Sequence, residues 1–415
     1  MAHASIITIG DELLIGQTID TNSAWMAQQL NKEGIWVRYR IAVGDVWDDI
    51  WSAIDQELQR SSIVLITGGL GPTADDITKP LLASYFQGKM IVNQEVLQHV
   101  TQIFTRLNRP LLERNLKQAE VPDTCTVLQN ARGTAPGMWF EKEGKVVVSL
   151  PGVPHEMKGL MTEEVIPRLI RQFKFPAILH RTAFTAGQGE SFIAERLNDL
   201  EGALPPHIKL AYLPNYGMVR LRLTARGENK DELAVEIENW FAQLREKVKD
   251  ILVSDEDKGL EEVLGEVLMK KGKTMSTAES CTGGYIAHLI TSIPGSSAYF
   301  QGSVVSYANS VKEGLLDVSS ETLSTLGAVS EETVKQMVAG VLQKTNSHYA
   351  LATSGIMGPT GGTAEKPVGT VWIAAGDREN VITSQLKLRF DRKKNIEITA
   401  QMAMDLLRRF ILGIR

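Results

Sequence analysis

The sequence predicts an α/β protein, with a layered α/β domain at each end and a small α+β domain between them. Three observations lead there. Short β-branched runs alternate with stretches of helical apolar spacing over residues 1–170, and the same alternation returns over 258–415. The residues between them follow a strand–helix–strand–strand–helix order instead. Alternating strands and helices build a mostly parallel sheet with helices on both faces. At 415 residues the chain is also long for a single hydrophobic core.

In order, the first part predicts strands over 5–9, 36–43, 63–67, 124–128 and 146–150. Its helices are expected over 21–33, 47–60, 78–86, 94–107 and 155–172. The middle part predicts strand 178–185, helix 190–200, strands 208–212 and 219–225, and helix 231–248. A linker is expected over 251–257. The last part predicts helices over 260–270, 283–291, 331–345 and 393–412, with strands over 274–277, 304–307, 349–353, 369–375 and 382–388. The domains are therefore expected to span 1–172, 173–250 and 258–415.

Composition narrows the function classes. The hydrophobic share of 43% and charged share of 22% are ordinary for a globular protein. No apolar run reaches transmembrane length, so no membrane partner is expected. The chain opens directly into a strand, without a basic region, apolar core and cleavage site, and a cytoplasmic protein is expected. Cys125 and Cys281 fall in different predicted domains, so no disulfide is expected. A net charge of −5 lacks the basic footprint of a nucleic-acid binder. The middle part has no basic Gly-x-x-Gly clamp, and its last helix carries Glu232, Glu236, Glu238 and Glu246. It reads as a spacer or dimerisation element rather than an RNA-binding one, and a homodimer is expected.

The chemistry concentrates around Thr277-Ala278-Glu279-Ser280-Cys281-Thr282-Gly283-Gly284. A strand–turn–helix corner there puts the Ser280 hydroxyl near free backbone N–H groups, an environment that favours an oxyanion. Serine needs a partner to take its proton, and Lys312 or Tyr307 would serve without histidine. The residues alone equally allow a helix-capping serine beside turn glycines. Cys281 is a rival nucleophile, because a helix N-terminus lowers a thiol pKa. At the other end, Gly68-Gly69-Leu70-Gly71-Pro72-Thr73 follows a predicted strand, where backbone N–H groups can cradle a phosphate. Asp75-Asp76 follow it, and Asp11-Glu12 sit at another strand end. Paired carboxylates near such a loop suit a hard divalent cation, though Asp75 and Asp76 would equally cap a helix.

These stretches resemble the CinA family (competence/damage-inducible protein A). In the last part the resemblance lies in Ser280 through Gly284, Tyr307 through Lys312, and the run from Ala352 through Gly362. In the first part it lies in Gly10 through Leu14, Thr67 through Asp76, Gly133 through Gly137, and Leu150 through Pro154. It implies a molybdopterin-binding-like three-layer domain, a KH-like α+β domain and a CinA-type amidase domain. The implied activity is deamidation of nicotinamide mononucleotide, with no cofactor. A metal-dependent ADP-ribose pyrophosphatase is implied for the first domain, using Mg²⁺ or a similar ion and K⁺. A nucleotide- or pterin-binding or scaffolding role is the alternative for that half, because fold likeness does not fix function.

On this pattern Ser280 is the nucleophile and Lys312 the general base, with Tyr307 positioning the lysine or relaying the proton. A lysine base must be partly neutral, so its surroundings must lower its pKa. Thr282, Gly283 and Gly284 follow the nucleophile. Thr353, Ser354, Gly355 and Gly358 form a second glycine-rich loop after a strand, suited to a phosphate or the carboxamide. Arg392 would pair with a phosphate. The family's Gly-Asp-Arg reads Phe390-Asp391-Arg392 here, a departure beside that arginine. Gly68, Gly69, Leu70, Gly71 and Thr73 would hold a nucleotide, and Asp11, Asp76 and Glu190 a metal.

Overall fold

The computed structural model describes residues 2–73, 76–215 and 217–414. The chain divides into two compact units. One holds Met1–His180, Pro206–Ile208 and Thr224–Glu238; the other holds Arg181–Pro205, Lys209–Leu223 and Asn239–Arg415. The middle region is thus shared between the two units.

The first unit is built on a six-stranded sheet in the order Val37–Val43, Ala4–Ile9, Ile63–Thr67, Lys145–Leu150, Gly137–Lys142, Thr126–Leu128. The first four strands run parallel, and Gly137–Lys142 runs antiparallel between Lys145–Leu150 and Thr126–Leu128. Alternation along the central strands feeds two cores. Ile6, Leu65 and Val148 pack with Met26 and Leu30 of the Thr21–Lys32 helix on one face. Ile7, Val64 and Ile66 pack with Ile50 and Ile54 of the Trp47–Arg60 helix on the other. Burying each such side chain contributes about 1.5–3 kcal/mol before entropy is counted.

The sequence reading missed the Gly137–Lys142 strand. It is joined to Lys145–Leu150 by Glu143 and Gly144, both at positive φ (53° and 75°), which makes a tight hairpin. The helix expected over 155–172 is interrupted by a π turn at Met161–Val165. Pro167 follows directly; it has no N–H to donate, and its ring crowds the preceding turn.

A four-stranded sheet has the order Ile208–Asn215, Met218–Gly227, Ala177–Ala186, Leu252–Ser254. The expected linker over 251–257 is therefore corrected. Leu252–Ser254 is a strand, antiparallel to Ala177–Ala186.

The second unit carries a five-stranded sheet in the order Phe300–Val305, Met275–Glu279, Tyr349–Gly355, Thr370–Gly376, Val381–Lys387. The first three strands are parallel, and Thr370–Gly376 runs antiparallel between Tyr349–Gly355 and Val381–Lys387. Side-chain alternation along Met275–Glu279 sets up the site. Met275 points to a core with Leu264 of Leu260–Lys271, Ile286 and Ile290 of Tyr285–Thr291, and Met404 and Leu407 of Arg392–Leu412. Ala278 points to the opposite core, with Leu316, Val334 and Val338. Leu316 ends the Asn309–Leu316 helix, an element not among those expected from the sequence. Among the described residues no helix is long and apolar enough to cross a membrane.

Candidate active site

Ser280 is the first residue beyond the Met275–Glu279 strand, and the ladder continues past it. Its N–H donates to the Thr353 carbonyl at 3.0 Å, and the Ser306 N–H donates to the Glu279 carbonyl at 2.8 Å. Alternation then places Ser280 on the Ala278 face, beneath the Asn309–Leu316 helix. That helix carries Lys312, which is 1% exposed. The Lys312 Nζ lies 3.1 Å from Ser280 Oγ, 2.7 Å from the Ser306 carbonyl and 3.4 Å from the Tyr307 carbonyl.

All three neighbours are oxygens that can accept from Nζ, and the same geometry also serves once the amine is neutral. Two N–H groups then donate to two carbonyl oxygens, and the lone pair faces the serine hydroxyl. Burial pushes the Lys312 pKa below its ordinary value, and no carboxylate pairs with it among the described residues. Ser280 itself is 8% exposed, so the pair is shielded from bulk water.

The turn after Ser280 runs through Gly283 (φ 61°) and Gly284 (φ 93°), a left-handed path that favours glycine. The expectation of free N–H groups at the following helix is corrected. The Glu279 carboxylate takes three of them, from Gly284 at 3.1 Å, Ile286 at 3.1 Å and Ala287 at 2.9 Å. The N–H groups of Cys281 and Thr282, directly after the nucleophile, meet no oxygen acceptor among the described residues. They are the donors left for an oxyanion.

Cys281 is corrected as a rival nucleophile. Alternation turns it to the face opposite Lys312, into the core with Ile286 and Leu351. It is 5% exposed, and burial pushes its thiol up to about 12.

Tyr307 is 63% exposed, and its phenol oxygen accepts from Arg392 at 2.9 Å. It holds Lys312 through its backbone carbonyl rather than its ring. The hydroxyls expected to meet substrate are engaged inside the protein. Thr282 and Thr353 bond each other at 2.8 Å, and Ser354 donates to the Ala328 carbonyl at 2.6 Å. Gly355 lies against the neighbouring strand, where a Cβ would come within 2.7 Å of Val371. The Gly358 carbonyl accepts from Arg392 at 2.9 Å, so Arg392 ties the glycine-rich loop to Tyr307 at the rim. The sequence reading missed Asn395, which is fully buried and donates to the Met357 and Phe390 carbonyls. It also missed Glu279. Its signal was a carboxylate closing a run of small and apolar strand residues.

The first-unit turn is arranged differently. Gly68 (φ 116°) and Gly69 (φ 65°) follow the Ile63–Thr67 strand. The Leu70 side chain is 2% exposed and belongs to the core, which leaves its backbone as the part that could meet a nucleotide. Asp76 accepts from the N–H groups of Gly71 at 2.8 Å and Thr73 at 2.9 Å, and from the Thr73 hydroxyl. Two N–H groups expected to face a phosphate are therefore committed to Asp76. The Asp11 carboxylate accepts from the Asp45 N–H at 3.2 Å. Glu190 opens the Glu190–Ala203 helix and belongs to the other unit. Asp75 lies outside the described residues. Among the described residues no group of three or more His, Cys, Asp or Glu side chains gathers to hold a metal ion.

Three family models match the chain in sequence: a probable molybdopterin binding domain over residues 5–171, the damage-inducible protein CinA KH domain over 180–254, and the CinA C-terminal domain over 257–411. A CinA-like protein of Cytophaga hutchinsonii is 48% identical over 413 residues, covering 100% of this chain and 99% of that protein. One of Flavobacterium psychrophilum is 46% identical over 411 residues, covering 99% and 98%. The crystal structure of the competence/damage inducible protein CihA from Agrobacterium tumefaciens is 40% identical, with a TM-score of 0.35, covering 36% of this chain and 95% of that one. With full-length identity of this order and all three domain models matched in order, the chain belongs to the CinA family.

Proposed function

We propose that the chain hydrolyses the carboxamide of nicotinamide mononucleotide, giving nicotinic acid mononucleotide and ammonia. The observation that carries this reading is the buried Lys312 amine 3.1 Å from Ser280 Oγ, with no acidic partner among the described residues. The Lys312 lone pair takes the Ser280 proton as Oγ attacks the carboxamide carbon. The N–H groups of Cys281 and Thr282 receive the oxyanion. The Lys312 ammonium returns the proton to the departing nitrogen, the C–N bond breaks, and ammonia leaves an acyl-serine. Water, deprotonated by Lys312, then releases the carboxylic acid and restores Ser280. Lysine serves as the base, so no metal or other cofactor is required. The substrate identity rests on the resemblance to the family, and Arg392 at the rim is a cation suited to its phosphate. Purified full-length protein incubated with nicotinamide mononucleotide is expected to release ammonia, and Ser280→Ala to release none. No release by the unaltered protein would overturn the reading.

For the first unit the reading is metal-dependent hydrolysis of ADP-ribose to AMP and ribose 5-phosphate, with Mg²⁺ or a similar ion and K⁺. Its support is the placement of the Gly68–Thr73 turn and Asp11 at the carboxyl ends of adjacent parallel strands. A nucleotide- or pterin-binding or scaffolding role is the second reading, favoured by the commitment of Asp76 to its own turn. Calorimetric binding of ADP-ribose with no product under Mg²⁺, Mn²⁺ or Co²⁺ and K⁺ would establish the second over the first. The reading includes a cytoplasmic homodimer without nucleic-acid or membrane partners; sedimentation tests the dimer.

A further inference from the structure

Glu279 carries a carboxylate with no solvent exposure and forms no ion pair among the described residues. A buried carboxylate is costly unless hydrogen bonds compensate it. Here the compensation is local. Oε2 accepts from the N–H groups of Gly284 and Ile286, both at 3.1 Å, and Oε1 accepts from the Ala287 N–H at 2.9 Å. The hydroxyls of Thr277 and Ser303 add longer contacts at 3.3 and 3.4 Å. The Glu279 backbone carbonyl accepts from the Ser306 N–H at 2.8 Å, and the next atom group along, the Ser306 carbonyl, holds Lys312 at 2.7 Å. Glu279 thus adjoins Ser280 in the chain and is linked to Lys312 through Ser306, although its side chain lies on the sheet face away from Lys312.

We infer that Glu279 is a positioning residue for Ser280. Its carboxylate fixes the 280–284 turn by taking the N–H groups of Gly284, Ile286 and Ala287. This leaves the N–H groups of Cys281 and Thr282, and no others of the turn and first helical residues around it, for the substrate's developing oxyanion. Gly283 donates to the Ser280 carbonyl and Tyr285 to the Thr282 carbonyl, so the remaining donors of the turn are also committed. The role rests on the amide hydrolysis proposed above. Without the carboxylate, three N–H groups behind the turn lose their acceptor and the turn is free to rotate toward them. The two oxyanion donors and Ser280 Oγ then leave their alignment with Lys312. Glu279 meets no reacting atom itself, so it acts through Ser280.

The test compares full-length Glu279→Gln and Glu279→Asp with the unaltered protein. Active sites are counted by fluorophosphonate labelling, with the modified residue located by mass spectrometry, and kcat and KM for ammonia release are expressed per labelled site. Glutamine turns an NH₂ group toward N–H donors on one side. Its kcat per site is expected to fall about 100-fold, the usual cost of misplacing an oxyanion donor, with KM within about threefold. Aspartate keeps the acceptor but is shorter, and is expected to recover part of that loss. A role confined to stability would lower the melting temperature and the number of labelled sites while leaving kcat per site unchanged. A kcat per site within threefold of the unaltered protein in the glutamine variant overturns the inference; if the glutamine variant does not fold, the same result in the aspartate variant overturns it. If the unaltered protein labels at Ser280 but releases no ammonia, the substrate is wrong, and the labelling rates of the variants decide the role of Glu279: slower labelling supports it and equal labelling overturns it.

Discussion

The turn after Glu279 and the turn after Thr67 have the same outline, a buried parallel strand running into glycines and then a helix. They differ in which group occupies their N–H donors. After Glu279, the carboxylate that absorbs the helix N–H groups comes from the strand and lies behind the sheet, so Ser280 faces forward with unclaimed donors beside it. After Thr67, the carboxylate comes from Asp76 within the turn and closes it on Gly71 and Thr73. Each turn also has a buried lysine nearby. Lys312 faces a serine hydroxyl, whereas Lys79, pushed down to about 8 by burial, donates to the Gln118 carbonyl. The shared outline therefore marks a place where a site can form, and the position of one carboxylate and one lysine decides what forms there.

The sharpest way to break the comparison is to remove the nucleophile. Ser280→Ala is expected to lower kcat for ammonia release by roughly 10⁴-fold or more, while Cys281→Ala, a core truncation on the far face, stays within about tenfold. The reverse ranking in steady-state assays would move the chemistry to the thiol. Lys312→Met should be nearly as damaging to kcat, because the pair acts as a unit. Its melting temperature should not fall. The Lys312 pKa is lower folded than unfolded, so the unfolded chain binds more protons, and the lysine makes stability rise with pH between its lowered value and 10.5. Toward the acid end of that window the methionine variant is expected to melt at or above the unaltered protein, the difference narrowing as pH rises toward 10.5, read by calorimetry across a pH series.

Two smaller effects sharpen the contrast. At Gly68 a Cβ would lie 2.3 Å from the Ile9 carbonyl oxygen, whereas at Gly283 it would meet nothing within 4 Å. Gly68→Ala is expected to cost more than about 3 kcal/mol in denaturant unfolding, and Gly283→Ala about 1 kcal/mol, the cost of its left-handed φ alone. Equal costs would show that the first turn does not need its close approach. Asp76→Asn should destabilise by about 1–2 kcal/mol through the lost turn bonds and abolish any ADP-ribose hydrolysis. Ammonia release should stay unchanged; a parallel loss would show that the two turns are coupled.

Much of this was legible in the sequence because local chemistry carried it. The Trp47–Arg60 and Glu331–Thr345 helices follow from apolar spacing, and Ile63–Thr67 from an unbroken apolar run between turn signals. Ser280 and Lys312 were found through their motif, but the reason they meet was not visible. Asn309–Leu316 has only two turns, with Val311, Leu315 and Leu316 as its apolar residues, too few to show a period. The burial of Lys312 depends on that helix lying against the strand face, a tertiary fact. The Gly137–Lys142 strand was hidden because its hairpin uses Glu143-Gly144 rather than a strong turn pair. The opposite fates of Ser280 and Cys281 follow from the two-residue period of the strand, which runs to Glu279, two residues beyond the expected end at Thr277.

The central claim, that a neutral Lys312 activates Ser280 without a metal, is tested most directly by the pH dependence of kcat/KM for ammonia release from nicotinamide mononucleotide in the presence of EDTA. Lysine is the active base only when deprotonated, and burial lowers the pH at which that happens. The account predicts that activity persists in EDTA and rises with pH along an ionisation below 10.5, the ordinary lysine value. Activity that falls as pH rises through that range, or that disappears in EDTA and returns with a divalent ion, would contradict it.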